Sequence, residues 1–145
     1  MQLKILLYCL KIVQKMQSGY GYQIKIDNTV RNWTSGIFDD FGGTWKWMHD
    51  LSNNEPARQA FRTNDWNTFR IEAIGNRIKV WLNGVPSTNL INDTYPKGYI
   101  TLKIDSLGAQ EKDKDVLIHI KNIRIIKKNV GSYLLHSNLK QITVM

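Results

Sequence analysis

Apolar and polar residues alternate with period two through much of the middle of the chain. In WNTFRIEAIGNRIKVWLNG (66–84), Phe69, Ile71 and Ala73 alternate with Arg70 and Glu72, and Ile78, Val80 and Leu82 alternate with Arg77, Lys79 and Trp81. Successive side chains of an extended chain point to opposite faces, so each run has one face suited to a core. Gly75-Asn76 lies between the runs and tolerates positive φ, which predicts a tight hairpin; Asn83-Gly84 predicts a second turn. The same period runs through YQIKID (22–27), with Tyr22, Ile24 and Ile26 opposite Gln23, Lys25 and Asp27. It recurs in YITLKID (99–105), with Ile100, Leu102 and Ile104 opposite Tyr99, Thr101, Lys103 and Asp105. In VLIHIKNIRII (116–126) the apolar parity changes at Lys121-Asn122, which predicts a bulge or a crossing between sheets and puts His119 on the side away from the core.

Between these runs the signals are weaker. SGIFDD (35–40) predicts a short strand, and GGTWKWMHDL (42–51) spaces two tryptophans to share one face of an extended chain. NNEPARQAF (53–61) reads as a loop with a helical turn, residues 85–98 as a polar loop, and GAQEKDKD (108–115) as a charged hairpin-like excursion. Repeated short strands with scarcely any helix predict an all-β antiparallel sandwich or jelly roll. The expected boundaries are an atypical segment over 1–18, the sandwich over 19–128 and a basic, patternless tail over 129–145. The apolar run Ile5–Leu10 is short for a secretory signal and no small-x-small cleavage site follows, which leaves an irregular start, a short amphipathic helix or a strand as readings.

Composition changes this picture little. Hydrophobic residues make up 42% and charged residues 22% of the 145 positions, ordinary values for one globular domain. The net charge of +8 raises the question of nucleic acid, so its placement matters. Residues 1–20 and 127–145 hold six lysines and no acid, which leaves 14 basic against 12 acidic residues between them. A nucleic-acid binder is expected to carry a basic stripe on its folded part, and a central net of +2 argues against that partner. Cys9 is the only cysteine, which excludes intrachain disulfides and cysteine-built metal sites. No apolar run approaches the length of a membrane-spanning helix.

For candidate chemistry, the strands 22–27 and 99–105 set Gln23, Lys25, Lys103 and Asp105 opposite their apolar residues. Such faces are either ligand sites or solvated outer faces, and both readings stand at this point. Five tryptophans exceed what a small core needs, and exposed rings are a common platform for the apolar face of a sugar. No HExxH, GxSxG or phosphate-binding loop is present. His49 falls in the tryptophan loop and reads as a surface histidine; His136 falls in the tail.

GYQIKID, SGIFDD, Trp47 followed by MHDL, then DWNTFRIEAIGNRIKVWLNGVP, GYITLKI and KNIRI resemble, in that order, the 3-keto-disaccharide hydrolase domain over roughly residues 19–127. The resemblance implies a concanavalin A-like lectin/glucanase jelly roll, usually periplasmic or secreted, that binds or processes a disaccharide or other glycoside. Active members cleave glycosides whose sugar carries a ketone at carbon 3. That ketone acidifies the proton on carbon 2, so a base can remove it while the oxygen on carbon 1 leaves by elimination. The reaction calls for a general base, a group that stabilises the enolate, and an acid or a divalent metal near the leaving group.

This chain departs from the family pattern in three ways. The family domain usually begins well before the GYQIKID strand, which implies a sandwich incomplete at its N-terminus. The family's Gly-Tyr-Glu-x-Gln reads Gly21-Tyr22-Gln23-Ile24-Lys25, and an amide neither takes a proton nor binds a metal strongly. The family's Val-His-Ser-Ile-Gly reads Ile104-Asp105-Ser106-Leu107-Gly108, so an aspartate replaces the histidine. The expectation is a degenerate member that retains sugar binding, with Asp105 and Gln23 in the catalytic positions. Lys25, Lys103, Asp39 and Trp47 are expected to contact substrate, and the residues indicate no metal or other cofactor. The alternative is a non-catalytic fragment, or the structural half of a larger assembly.

Overall fold

The structure, a computed structural model, describes residues 4–7, 21–27, 29–39, 45–96, 100, 102–104, 119–125 and 142–144, with the strands at 4–7, 103–104 and 142–144 described by backbone alone. The expected hairpin is its clearest feature. Strand β5 (Asn67–Ile74) pairs antiparallel with β6 (Arg77–Leu82), with Phe69 opposite Leu82, Ile71 opposite Val80 and Ala73 opposite Ile78. Of the two turn residues only Gly75 has positive φ (59°), and a glycine in the first central position is what a type II′ turn requires. Both Asn83 (φ 51°) and Gly84 (φ 84°) are positive, the type I′ combination that suits Asn-Gly.

That second turn leads into a strand, not the expected polar loop. β7 (Val85–Ile91) pairs along the whole of β6, with a register shift between Val80 and Trp81 that sets Pro86 opposite Trp81. Its polar residues misled the pattern because two of them are buried and satisfied. Ser87 donates from Oγ to the Val80 carbonyl, and Thr88 donates from Oγ1 to the Ser35 carbonyl, both at 2.9 Å. A buried hydroxyl with a partner is tolerated where an unpaired one would be costly.

The other elements are β1 (Lys4–Leu7), β2 (Tyr22–Asp27), β3 (Ile37–Asp39), β4 (Lys46–His49), α1 (Glu55–Gln59), β8 (Lys103–Ile104), β9 (Ile120–Lys121) and β10 (Ile142–Val144). Among the described residues the strands form two five-stranded sheets, in the orders β4-β3-β2-β1-β8 and β7-β6-β5-β10-β9. Every strand pairing within them is antiparallel. This is the expected all-β sandwich. Two of its inner strands come from the segments the pattern set apart: β1 lies between β2 and β8, and β10 lies between β5 and β9. Each pairs over four residues or fewer, too short for a period to register. Among the described residues no helix is long and apolar enough to cross a membrane.

The core lies between the sheets. Tyr22, Ile24, Ile26 and Ile37 from one meet Phe69, Ile78, Val80, Leu82 and Leu90 from the other. Helix α1 is short and locally encoded. Asn54 caps it by accepting from the Ala57 amide (3.2 Å), Pro56 stands in its first turn, and Ala57 is buried. The Asn54 amide group also donates to the Pro86 and Ser87 carbonyls, which ties the helix to β7. Asn122, at φ 59°, sits where the apolar parity of its segment changes.

Candidate functional site

Because Tyr22, Ile24 and Ile26 of β2 point into the core, the alternation sends Gln23, Lys25 and Asp27 to the outer face of the first sheet. Register carries this face across the neighbouring strands. Gln23 lies opposite Phe38 on β3, and Phe38 lies opposite Trp47 on β4. The three rings Phe38, Trp47 and Trp33 form a continuous edge-to-face run, with centroids 5.4 Å apart for Phe38–Trp47 and 5.2 Å for Trp33–Trp47. Trp45 leans on Phe38 at 6.2 Å and is 67% exposed, so the outermost ring of the group faces solvent.

The Trp47 ring can approach the backbone at residue 36 closely because Gly36 has no side chain. A Cβ there would fall 2.8 Å from the Trp47 ring and 3.0–3.1 Å from the carbonyl oxygens of Trp33 and His49. The β2–β3 connection that presents Trp33 is built on Asp27. Its carboxylate accepts from the amides of Thr29 and Trp33 (both 3.3 Å) and from Arg31 Nε (2.6 Å). Thr34 Oγ1 donates to the Asp27 carbonyl and accepts from the Asp27 amide, closing the loop from the other side.

Cations lie over the rings. Lys25 Nζ stands 3.9 Å from the Phe38 centroid and 5.9 Å from that of Trp47, and the Arg31 guanidinium is 5.1 Å from Trp33 and 5.2 Å from Trp47. Burial by itself would push the Asp27 carboxyl up, but the hydrogen bonds from Arg31 and Thr29 and the Arg31 charge outweigh it and hold it below its ordinary value. A carboxyl more acidic in the folded than in the unfolded chain adds stability that is complete above the unfolded value and fades as pH falls through the folded one. Acid titration of the unfolding midpoint below about pH 4 is therefore expected to show a loss that Asp27→Asn reduces; an unchanged acid limb in that variant would sink the assignment.

The expected site residues divide. Gln23, Lys25 and Trp47 come together on the outer face, and Gln23 is only 2% exposed, so it is no solvated surface amide. Lys103 enters through the backbone of β8, in the register row of Leu6 and Lys25. Asp105, Cys9 and His136 lie outside the described residues. Asp39 is not brought to this face. It shares the inner row of Tyr22 and accepts from the Tyr95 hydroxyl at 2.9 Å, with Tyr95 packed edge-on to Tyr22 at 4.9 Å. Burial raises the Tyr22 hydroxyl pKa, the charges of Asp39 and Asp93 add to that, and the hydroxyl donates to Asn92 Oδ1. His49 is half-buried, not a surface residue, and among the described residues its Nδ1 has no hydrogen-bond partner. His119 is exposed, as expected.

Trp33, Arg31, Phe38 and Trp45 did not emerge as site residues from pattern alone. The local signals were the two-residue spacing of Trp45 and Trp47 and the i,i+4 spacing of Asp27 and Arg31. Among the described residues the face offers an amide and two cations, and the Asp27 carboxylate already has three donors, so these residues do not make a site for a divalent cation. Among the described residues no three His, Cys, Asp or Glu converge anywhere as a ligand set.

A family model described as a 3-keto-alpha-glucoside-1,2-lyase-like domain matches residues 6–126, the family that the motifs of the chain resemble. The match takes in part of β1 as well as the hairpin. Comparison with curated proteins returned no match.

Proposed function

The chain belongs to the family of 3-keto-alpha-glucoside-1,2-lyase-like domains, and on that premise we propose that it binds a glycoside on the outer face of the first sheet. Membership supports a carbohydrate-related function. The observation that carries the finer reading is the run of rings Trp33, Trp47, Phe38 and Trp45 beside Gln23 and Lys25. Aromatic faces take the C–H side of a sugar ring, and a flanking ammonium donor bonds its hydroxyls. Trp45 offers the open ring, and Trp47 is the half-buried base that holds it in place through Phe38.

Gln23 stands where the family pattern has a carboxylate, and its amide cannot remove the proton on carbon 2. The reading is therefore of sugar recognition, with the carbonyl and hydroxyls of a 3-keto-glycoside or its parent disaccharide as the groups bonded. Isothermal titration of the folded chain with a 3-keto-glucoside and with the parent disaccharide tests it. Trp45→Ala is expected to weaken binding about five- to ten-fold, the size of one lost stacking contact. Its unfolding midpoint should hardly move, because the ring is mostly exposed. Absence of binding by a folded sample would end this reading.

A further inference from the structure

Resting on the sugar-binding reading, we propose that the sugar recognised is acidic: a glycoside carrying a uronate carboxylate, received by Arg31. The guanidinium is held in a defined orientation. Its Nε donates to Asp27, whose carboxylate is itself anchored by two backbone amides, and the rings of Trp33 and Trp47 flank the group. Among the described residues its two Nη groups make no hydrogen bond, and the side chain is 49% exposed. A planar cation with one donor engaged and two presented beside aromatic rings matches the two oxygens of a carboxylate.

The charge on the face points the same way. Of its described charged side chains, Lys25 and Arg31 are positive and only Asp27 is negative. A uronate stacked on the rings would bring one negative charge next to the Arg31 guanidinium.

The test is a matched pair. The full chain is titrated calorimetrically with a glucuronosyl-glucose disaccharide and with the glucosyl-glucose of the same linkage, at low and at physiological salt. The acidic disaccharide is expected to bind about five- to ten-fold more tightly at low salt, the range of a charged hydrogen-bonded pair partly open to water. The margin should narrow as salt rises. Arg31→Gln should bring the ratio close to one, while Arg31→Lys, which keeps the charge but loses the fork, should retain part of it. Equal affinity of the wild type for both sugars would overturn the inference and leave the sugar-binding reading standing. A preference undiminished in Arg31→Gln would overturn the role of Arg31. Binding of neither sugar would remove the sugar-binding reading, and this inference with it.

Discussion

Phe69→Ala is expected to destabilise the fold by about 3–5 kcal/mol, the cost of removing a large buried ring and leaving a cavity. Phe69 is fully buried at the start of the central hairpin, opposite Leu82 on β6 and in the row of Ile142 on β10. It belongs to the cluster in which Tyr22, Ile24 and Ile37 of the first sheet meet the second, so the cavity would open where the sheets press together. A domain of this size has total stability on the order of 5–15 kcal/mol, so the variant would sit near the edge of folding. Urea unfolding followed by tryptophan fluorescence measures it. Phe69→Leu, which keeps most of the volume, should cost less than half as much. A loss under about 1 kcal/mol for the alanine variant would mean that the ring does not fill the space between the sheets.

Asn67→Ala is expected to cost about 2–4 kcal/mol, although it removes no apolar volume to speak of. The Asn67 side chain is buried and joins four groups. It accepts from the Arg62 amide (2.8 Å) and donates to the Arg62 carbonyl (2.7 Å) and the Asp65 carbonyl (2.9 Å). It also accepts from Asn83 Nδ2 (2.9 Å), and that amide group donates to the Ala60 carbonyl (2.7 Å). Asn83 Oδ1 in turn accepts from the Thr68 amide (2.8 Å). The two asparagines thus staple the loop after α1 to the open end of the hairpin. Removing Asn67 leaves the Arg62 amide and the Arg62 and Asp65 carbonyls without these part-buried bonds, and leaves Asn83 without its Asn67 partner. Amide hydrogen exchange should show Arg62 and Thr68 losing protection well before the centre of β5 does. Uniform loss along the whole hairpin would argue that Asn67 acts through global stability alone.

The asparagines also mark how far a local pattern reaches. Asn83-Gly84 was recognisable as a turn, since the pair is suited to positive φ, but the second use of Asn83, as a bridge to Ala60 and Asn67, depends on a loop that is distant in sequence. Asp39 is a sharper case. Its neighbours Ile37 and Phe38 predicted a strand correctly, and a polar residue beside them suggested a place at the ligand face. Tyr95, 56 residues on, accommodates it on the inner side instead. β7 was hidden for the related reason that Ser87 and Thr88 are buried through hydroxyl bonds to Val80 and Ser35.

The period-two runs were enough to establish an all-β sandwich, the hairpin and the parity that puts Gln23 and Lys25 on one face, because alternation and turn chemistry act between near neighbours in the chain; the family came from the likeness of the motifs and their order. The joining of β1 and β10 to the two sheets, the stacking of Trp33 against Trp47 over Gly36, the Arg31 guanidinium beside these rings, and the inward place of Asp39 came from the assembled fold. Those contacts join residues that share no local period. Their geometry is set by which strands pair and how closely the backbones approach, and no single stretch of the chain contains that information.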